Sequence, residues 1–537
     1  MYSYIKRLLL VGLALMYVSC DSDFAELNTD PNKAGADIFD PNLILPTIIY
    51  DYSDYNTGYS GAILFQSMWV QIMASTSTGG ANYYSNADKY VASGSTTSYQ
   101  QSLWNGLYSA ASQARQMEKL AIEQELPNLA AIGKMLQIMN IAMISDVYGD
   151  VPYEEALLGD EGVNFPTYQS QESLYPQMLA DLETAVTALS NSGDSPTNDT
   201  MYGGDISQWR KFGYSLMLKL AMRLTKVDAS TAQTYVNTAI SGGIFESSAD
   251  DAVAIMDNSN GYANTNANSL NVTDDIYEVR WSKTLIDFLK STDDPRVSVI
   301  AEIPPAGLEA NKDGIVVGDS DPSIQIGLPN GYDLKGSSTD ISNHPDYPGP
   351  TLAANSDDSD APIGNYSRPT AIYRDRDASW FILTYAETQF LLAEAAVRGF
   401  TSGNASDHYN AGVVAAMETL NKMGGTQIEG GDATTYASAN PLDTSSADAS
   451  LEMINEQLWA SVGILGNFVE AWNNWRRSDY PVLTPVNYTG NFSGGNIPSR
   501  QPYPTSEGTN NTDNYQAAVS AMGGSDDWVT KAWWDVE

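Results

Sequence analysis

The sequence of 537 residues holds one cysteine and two histidines, and this scarcity removes several chemistries at once. A lone thiol, Cys20, allows no disulfide within the chain. With His344 and His408 as the only imidazoles, no Cys/His cluster stands at transition-metal spacing, so neither metal nor cofactor is expected. Positive charge is scarce as well: 27 Lys and Arg face 66 Asp and Glu, a formal net charge of -39. Nucleic-acid binding depends on neutralising phosphates with Lys and Arg, which excludes that class of partner. The same field disfavours sulfated or uronate-rich polymers and favours neutral or cationic ligands, although a polyanionic surface also simply keeps an exposed protein soluble. Beyond residue 20 no apolar run approaches the roughly 18 residues of a membrane span. Nor does any Pro/Ser/Gly linker divide a chain whose length, at roughly 150 residues per domain, would permit several units.

What is present begins with Lys6-Arg7, the apolar run Leu8 to Val18 and the small Ser19 before Cys20. A basic start, a short apolar stretch and a small residue at the cut describe a secretory signal peptide, here residues 1–19. Its pattern is that of a bacterial lipoprotein, with Tyr17 where leucine is usual. The mature chain is then expected to start at Cys20, whose acylated (palmitate-bearing) thiol anchors it to outer-membrane lipid. Residues 20–40 read as a lipidated tether. The acidic stub Asp21 to Glu26 resembles the surface-export signals of certain Gram-negative outer-membrane lipoproteins, which implies display facing the medium. Residues 41–537 form the body.

Tyr (32) and Trp (11) together far outnumber Phe (12), a bias towards rings with a polar tip that suits half-wet surfaces such as carbohydrate or peptide sites. Helical periodicity is strong. Ile132, Leu136, Met139 and Met143 share a face, as do Leu174, Met178, Leu182, Ala185 and Leu189, and again Trp209, Phe212, Leu216, Leu220, Leu224 and Val227. Later, Ile382, Ala386, Phe390, Ala393 and Val397 predict a helix opened by Asp377 and closed by Gly399, with a partner helix from about Ser406 to Met423. These are antiparallel helix pairs carrying long loops, at Thr76 to Ser98, Asp257 to Asp275, Pro304 to Tyr373 and Thr484 to Asn514. Loops of that length in a compact protein are usually functional.

A set of short motifs runs through the chain in a specific order. Leu27-Asn-Thr-Asp-Pro-Asn-Lys33 is followed by Tyr148-Gly-Asp-Val-Pro-Tyr153, Ala239-Ile-Ser-Gly-Gly-Ile-Phe245, Asp294-Pro-Arg296 and Tyr385-Ala-Glu-Thr-Gln-Phe-Leu-Leu-Ala-Glu-Ala395. Then come Glu470-Ala-Trp-Asn-Asn-Trp-Arg-Arg477 with Tyr480-Pro481, Ile497-Pro-Ser-Arg-Gln-Pro-Tyr-Pro504 with Glu507, and Trp533-Trp-Asp535. In this order they resemble the SusD/RagB outer-membrane nutrient-binding lipoproteins. The resemblance implies a mainly α fold, a right-handed superhelix of four tetratricopeptide-like helix pairs in one large domain. It also implies a role as the hinged lid of a SusC-type TonB-dependent transporter, delivering oligosaccharide or, alternatively, oligopeptide.

The candidate ligand residues lie in the loops. Asn82, Tyr83, Tyr84 and Tyr90 follow Gly79-Gly80, between a helix ending near Ala74 and the one containing Trp104. Tyr262, Asn264, Tyr277 and Trp281 form a second aromatic and amide group, and Tyr332 and Tyr347 a third. Rings supply stacking surface and amides supply hydrogen-bond selectivity, while packing of each tyrosine on its own domain is the competing account. Trp104 and Tyr108 read as core. Arg476, Arg477 and Arg500 read as structural clamps, the first two through carboxylates such as Glu470 or Glu507. No enzyme is expected: a surface glycoside hydrolase would need a carboxylate pair with no local signature, and Ala239-Ile-Ser241-Gly-Gly243 imitates a nucleophile elbow only faintly, a helix end being the better account. Asp357, Asp358 and Asp360 could offer oxygen ligands to calcium but match no binding-loop pattern, and a solvated acidic loop is preferred.

Overall fold

The computed structural model describes residues 39–60, 62–76, 83–92, 99–272, 279–305, 316–334, 338–349 and 363–536. Cys20, Asn82, Tyr277 and the Asp357/Asp358/Asp360 group lie outside them. Helices dominate. In chain order the ones that build the body are α1 (Leu45–Tyr55), α2 (Ser102–Glu123), α3 (Pro127–Tyr148), α4 (Gln171–Ala188), α5 (Ile206–Met222), α6 (Ala229–Gly242), α7 (Tyr385–Val397), α8 (Ala405–Asn421), α9 (Ala447–Ile464) and α10 (Phe468–Ser478). Among the described residues six short strands, β1 (Met73–Ser75), β2 (Ala252–Ala254), β3 (Val279–Trp281), β4 (Ala301–Glu302), β5 (Arg368–Pro369) and β6 (Trp380–Leu383), pair two by two, as β1 with β3, β2 with β6 and β4 with β5, all antiparallel.

The ends of the helices follow from local chemistry. Asp205, Asp228, Thr384, Asn404, Ser446 and Asn467 cap α5 to α10 in turn, each accepting from an otherwise orphaned backbone N–H of the first turn. Helix α3 begins on Pro127, and Asp194 accepts from Asn128 N at 2.8 Å and Leu129 N at 3.0 Å. It stops at Gly149, whose φ of 93° is costly for any residue with a Cβ. Three residues separate α2 from α3, so the two must run antiparallel; α5/α6, α7/α8 and α9/α10 are further closely packed neighbours in sequence, and α3 also packs closely on α4. From Asn128 to Tyr148 nearly every side chain of α3 is buried.

A charged cluster joins the pairs. The Arg223 guanidinium reaches both Glu470 oxygens at 2.7 and 2.8 Å, Lys219 lies 3.0 Å from both Glu387 and Glu470, and Arg477 forks onto Glu394 at 2.6 and 2.7 Å. The two adjacent arginines therefore clamp as expected but not through the expected acids: Glu470 is taken by Arg223 and Lys219, and Glu507 accepts from Tyr168 at 2.7 Å. Arg476 stacks between Trp472 and Trp534, 3.5 and 4.6 Å from the ring centroids, and donates to the carbonyls of Asp146 and Ser499. Arg500 pins its extended segment to Asp526 and to the Tyr148 carbonyl.

Two helix limits differ from the periodic pattern. The chain before Trp104 turns from the helical segment ending at Trp69 into strand β1, so no helix reaches Ala74. Ile382 belongs to strand β6, and α7 starts at Tyr385 under the Thr384 cap, while Asp377 accepts from Asn258 N instead. Trp380, Phe381 and Ile382 are bulky or β-branched and buried, which fits a short covered strand better than a first helical turn. Gly399, with φ of 72°, closes α7 as expected.

Candidate functional site

Three of the four long loops are fastened to one another. The buried Asp88, at the end of the short helix Tyr83–Asp88, accepts from Gly331 N at 2.6 Å and from the Asn330 amide at 2.5 Å, and that amide also donates to the Met73 carbonyl at 2.9 Å. Next to it, Lys89 meets Asp333 at 2.9 Å and sits 5.4 Å from the centroid of the Tyr488 ring, whose hydroxyl donates to Asp333 at 2.9 Å. Tyr90 holds a left-handed backbone (φ of 58°), and its carbonyl accepts from Phe492 N at 2.8 Å. Segments 83–92, 330–334, 338–340 and 486–492 are thereby one connected surface. Burial outweighs Lys89 and the backbone donors at Asp88 and pushes its carboxyl up to about 6. At Asp333 burial loses to Thr339, Lys89 and Tyr488, which hold the carboxylate below its ordinary value.

Of the rings nominated from sequence, several prove to be structural. Tyr84, Tyr90 and Trp281 are fully buried, which leaves no side-chain surface for a ligand to contact. Tyr84 packs against Tyr59 and the Tyr90 ring lies in the core, while Trp281 donates to the Ile300 carbonyl at 2.8 Å and meets Tyr373 edge-on at 5.1 Å. Asn264 is a helix cap: its carbonyl oxygen accepts from Ala267 N at 3.1 Å and its amide donates to the Ala378 carbonyl at 2.9 Å. Tyr83 lies in the first turn of its short helix.

The others keep surface. Tyr262 is exposed, edge-on to Tyr50 at 5.0 Å. Tyr332 and Tyr347 are half-buried over a small cluster of Leu334, Ile341 and Tyr366, and Tyr332 meets the His344 ring at 5.2 Å. Tyr488, half-buried between Lys89 and Asp333, is a ring that sequence reasoning misses; an aromatic in a Gly/Asn-rich loop is the signal it shares with Tyr332 and Tyr347.

A separate cleft of about 460 Å³ runs along α2, lined by Trp104, Asn105, Tyr108, Ser112, Arg115, Gln116 and Lys119 on the helix and by Pro152, Leu157, Asp160, Pro166 and Glu507 opposite. Trp104 is buried among the rings of Tyr108, Tyr148, Tyr168 and Tyr503, in line with its core reading. Tyr108 is only half-buried and, against that reading, forms part of the cleft wall.

The elbow-like Ser241 lies in the last turn of α6, which ends at Gly243 with φ of 99°. His408 shares a hydrogen bond of 2.7 Å with the Gln389 side chain. Among the described residues no group of three or more His, Cys, Asp or Glu is placed to hold a metal, and no helix is long and apolar enough to cross a membrane.

A helix-pair body carrying interlocked, tyrosine-bearing loops defines a binding scaffold. The family described as starch-binding, associating with the outer membrane (SusD-like) matches residues 34–504, and the chain belongs to that family. Among solved structures it is similar to a chitin-binding protein, at 27% identity and a TM-score of 0.77 over 93% of this chain and 100% of that one. A SusD homolog from Bacteroides fragilis (23% identity, TM-score 0.71, 92% of this chain and 100% of that one) and a chitin-binding SusD homolog from Flavobacterium johnsoniae (20%, 0.72, 93% and 99%) share the fold. A search of curated proteins finds no match.

Proposed function

We propose that this chain is a non-catalytic, surface-exposed lipoprotein, anchored through acylated Cys20, that binds oligosaccharide and delivers it as a lid to a SusC-like TonB-dependent transporter. The observation that carries the reading is the fastening of three loops through Asp88, Lys89 and Asp333, which holds Tyr332 and Tyr488 half-exposed on a fixed frame. Pre-set rings cover the C–H faces of a sugar at little entropic cost. Family membership and the chitin-binding neighbour support a saccharide over a peptide. The charge of -39 is what favours the alternative, a cationic oligopeptide.

Titration calorimetry of residues 21–537 with maltotriose, N,N′-diacetylchitobiose and trilysine separates the two. Saccharide binding is expected, weakened by about 1–3 kcal/mol in Tyr332→Ala/Tyr488→Ala. Binding of trilysine alone would replace the sugar with a peptide, and turnover of a chromogenic glycoside would end the non-catalytic reading. In cells, loss of radiolabelled palmitate from a Cys20→Ser variant tests the anchor.

A further inference from the structure

We propose that the cleft along α2 is a second saccharide site, separate from the loop surface, that takes a short neutral pyranoside; for its ligand class the assignment rests on the reading above. Its volume of about 460 Å³ lies within the ~300–1,000 Å³ of small-molecule sites. One wall offers Pro152, Leu157 and Pro166, and the Tyr108 ring adds apolar surface from the α2 side, the kind of surface that covers sugar C–H groups.

The other wall is a row of polar side chains on one helix face. Asn105, Ser112 and Gln116 are exposed, line the cleft and make no side-chain hydrogen bond with any other described residue. Amides and hydroxyls both donate and accept, as do the hydroxyls of a sugar. A closed packing gap would not present such groups.

Charge excludes the other ligand classes. The four charged residues of the lining, Arg115, Lys119, Asp160 and Glu507, cancel. Arg115 is bound to Glu161 and to the Leu157 carbonyl, and Lys119 to Asp160 at 2.6 Å, so an anion finds no free cation to recruit. A cationic peptide finds its carboxylates engaged as well, since Glu507 accepts from Tyr168. The opposite wall, residues 152–168, is rooted at the Val151–Gln169 bridge and held from both sides: Tyr108 donates to the Pro152 carbonyl at 2.8 Å and Arg115 to the Leu157 carbonyl at 2.7 Å, while Asn511 and Asn514 donate to the Pro166 carbonyl at 2.9 and 3.2 Å, so the cleft is formed before a ligand arrives.

Ser112→Trp fills the cleft from an exposed helix position, and Asn105→Ala/Gln116→Ala removes its polar groups without adding bulk; unchanged circular dichroism and melting confirm that each folds. With N,N′-diacetylchitobiose as probe, calorimetry and soaked crystals of the native chain should show a molecule in the cleft in addition to one at the loops. Ser112→Trp should abolish the former, and Asn105→Ala/Gln116→Ala should weaken it by about tenfold or more. Stoichiometry unchanged by Ser112→Trp, electron density at the loops alone, or trialanine seated in the cleft in place of sugar would each overturn the proposal while leaving the loop reading intact. If Ser112→Trp removes all binding and Tyr332→Ala/Tyr488→Ala none, the cleft stands and the loop reading falls. No saccharide binding at millimolar concentration overturns both.

Discussion

Arg477 and Glu394 show how much a single buried pair can hold. Neither side chain has measurable exposure, the guanidinium reaches both carboxylate oxygens, and its Nη2 also donates to Asn455 and Asn474 at 2.9 and 2.8 Å, while its buried Nε has no partner among the described residues. Burial alone would raise the Glu394 carboxyl, but Arg477 and Arg398 outweigh it and hold the group at about 2. Removing Arg477 leaves the buried Glu394 with Arg398 alone at 2.7 Å, so Arg477→Met is expected to cost about 3 kcal/mol in urea unfolding, the low end for a broken buried pair. The double variant Arg477→Met/Glu394→Leu should recover most of that loss, since neither charge is then stranded. Equal losses in the single and double variants would mean that packing, not charge, is what Arg477 supplies. The role of this arginine was legible in sequence but its partner was not, because Glu394 lies 83 positions away and only the packing of α7 and α10 on α9 brings it near. The same limit explains the rings. A tyrosine in a polar loop looks alike whether it faces solvent, as Tyr262 does, or fills the core, as Tyr84 and Tyr90 do.

Among the elements, the long periodic helices were legible because their apolar faces repeat over four or more turns, as in α3 and α5. The strand at Trp380–Leu383 was not, since four apolar residues directly before a helix extend its apparent period. Close approach between helices was hinted at by small residues and is measurable now. A Cβ on Gly213 of α5 would lie 2.3 Å from a Val186 methyl on α4 and 2.8 Å from the Met135 methyl on α3. Both are core atoms, so the helices must part to admit it. Gly213→Ala, which on an exposed helix would stabilise, is here expected to lower stability by about 1–3 kcal/mol in thermal or urea unfolding. A neutral or stabilising result would show that α4 and α5 slide apart freely. The cleft along α2 belongs to this scale as well: a helix read as core by its spacing carries on another face a polar row that periodicity assigns merely to solvent.

For the whole molecule the controlling quantity is negative charge, and the raised carboxyls set its pH dependence. Burial, aided by Asp51, pushes Asp54 up to about 6, burial pushes Asp88 to about 6, and burial with Glu452 pushes Glu456 to about 7. Each folded value exceeds the ordinary one, so between the two the folded chain binds more protons than the unfolded chain and stability falls as pH rises through that window. Glu394 has the opposite sign: its stabilisation is complete above the ordinary glutamate value and is lost as pH falls from there towards 2. Mutual repulsion in a chain of charge -39 adds to the loss at high pH. The melting temperature is therefore expected to peak near pH ~5 and to decline towards pH 8. Added salt should recover the part of that decline due to repulsion between exposed charges but not the part due to desolvation. Glu456→Gln isolates the latter: it should stabilise the chain by about 1 kcal/mol at pH 8, after allowance for solvent screening, and give no gain at pH 4, where the native carboxyl is already neutral. If melting instead rises steadily from pH 5 to 8, the buried acids are paid for by pairing elsewhere and the self-repulsion of this surface is too well screened to matter.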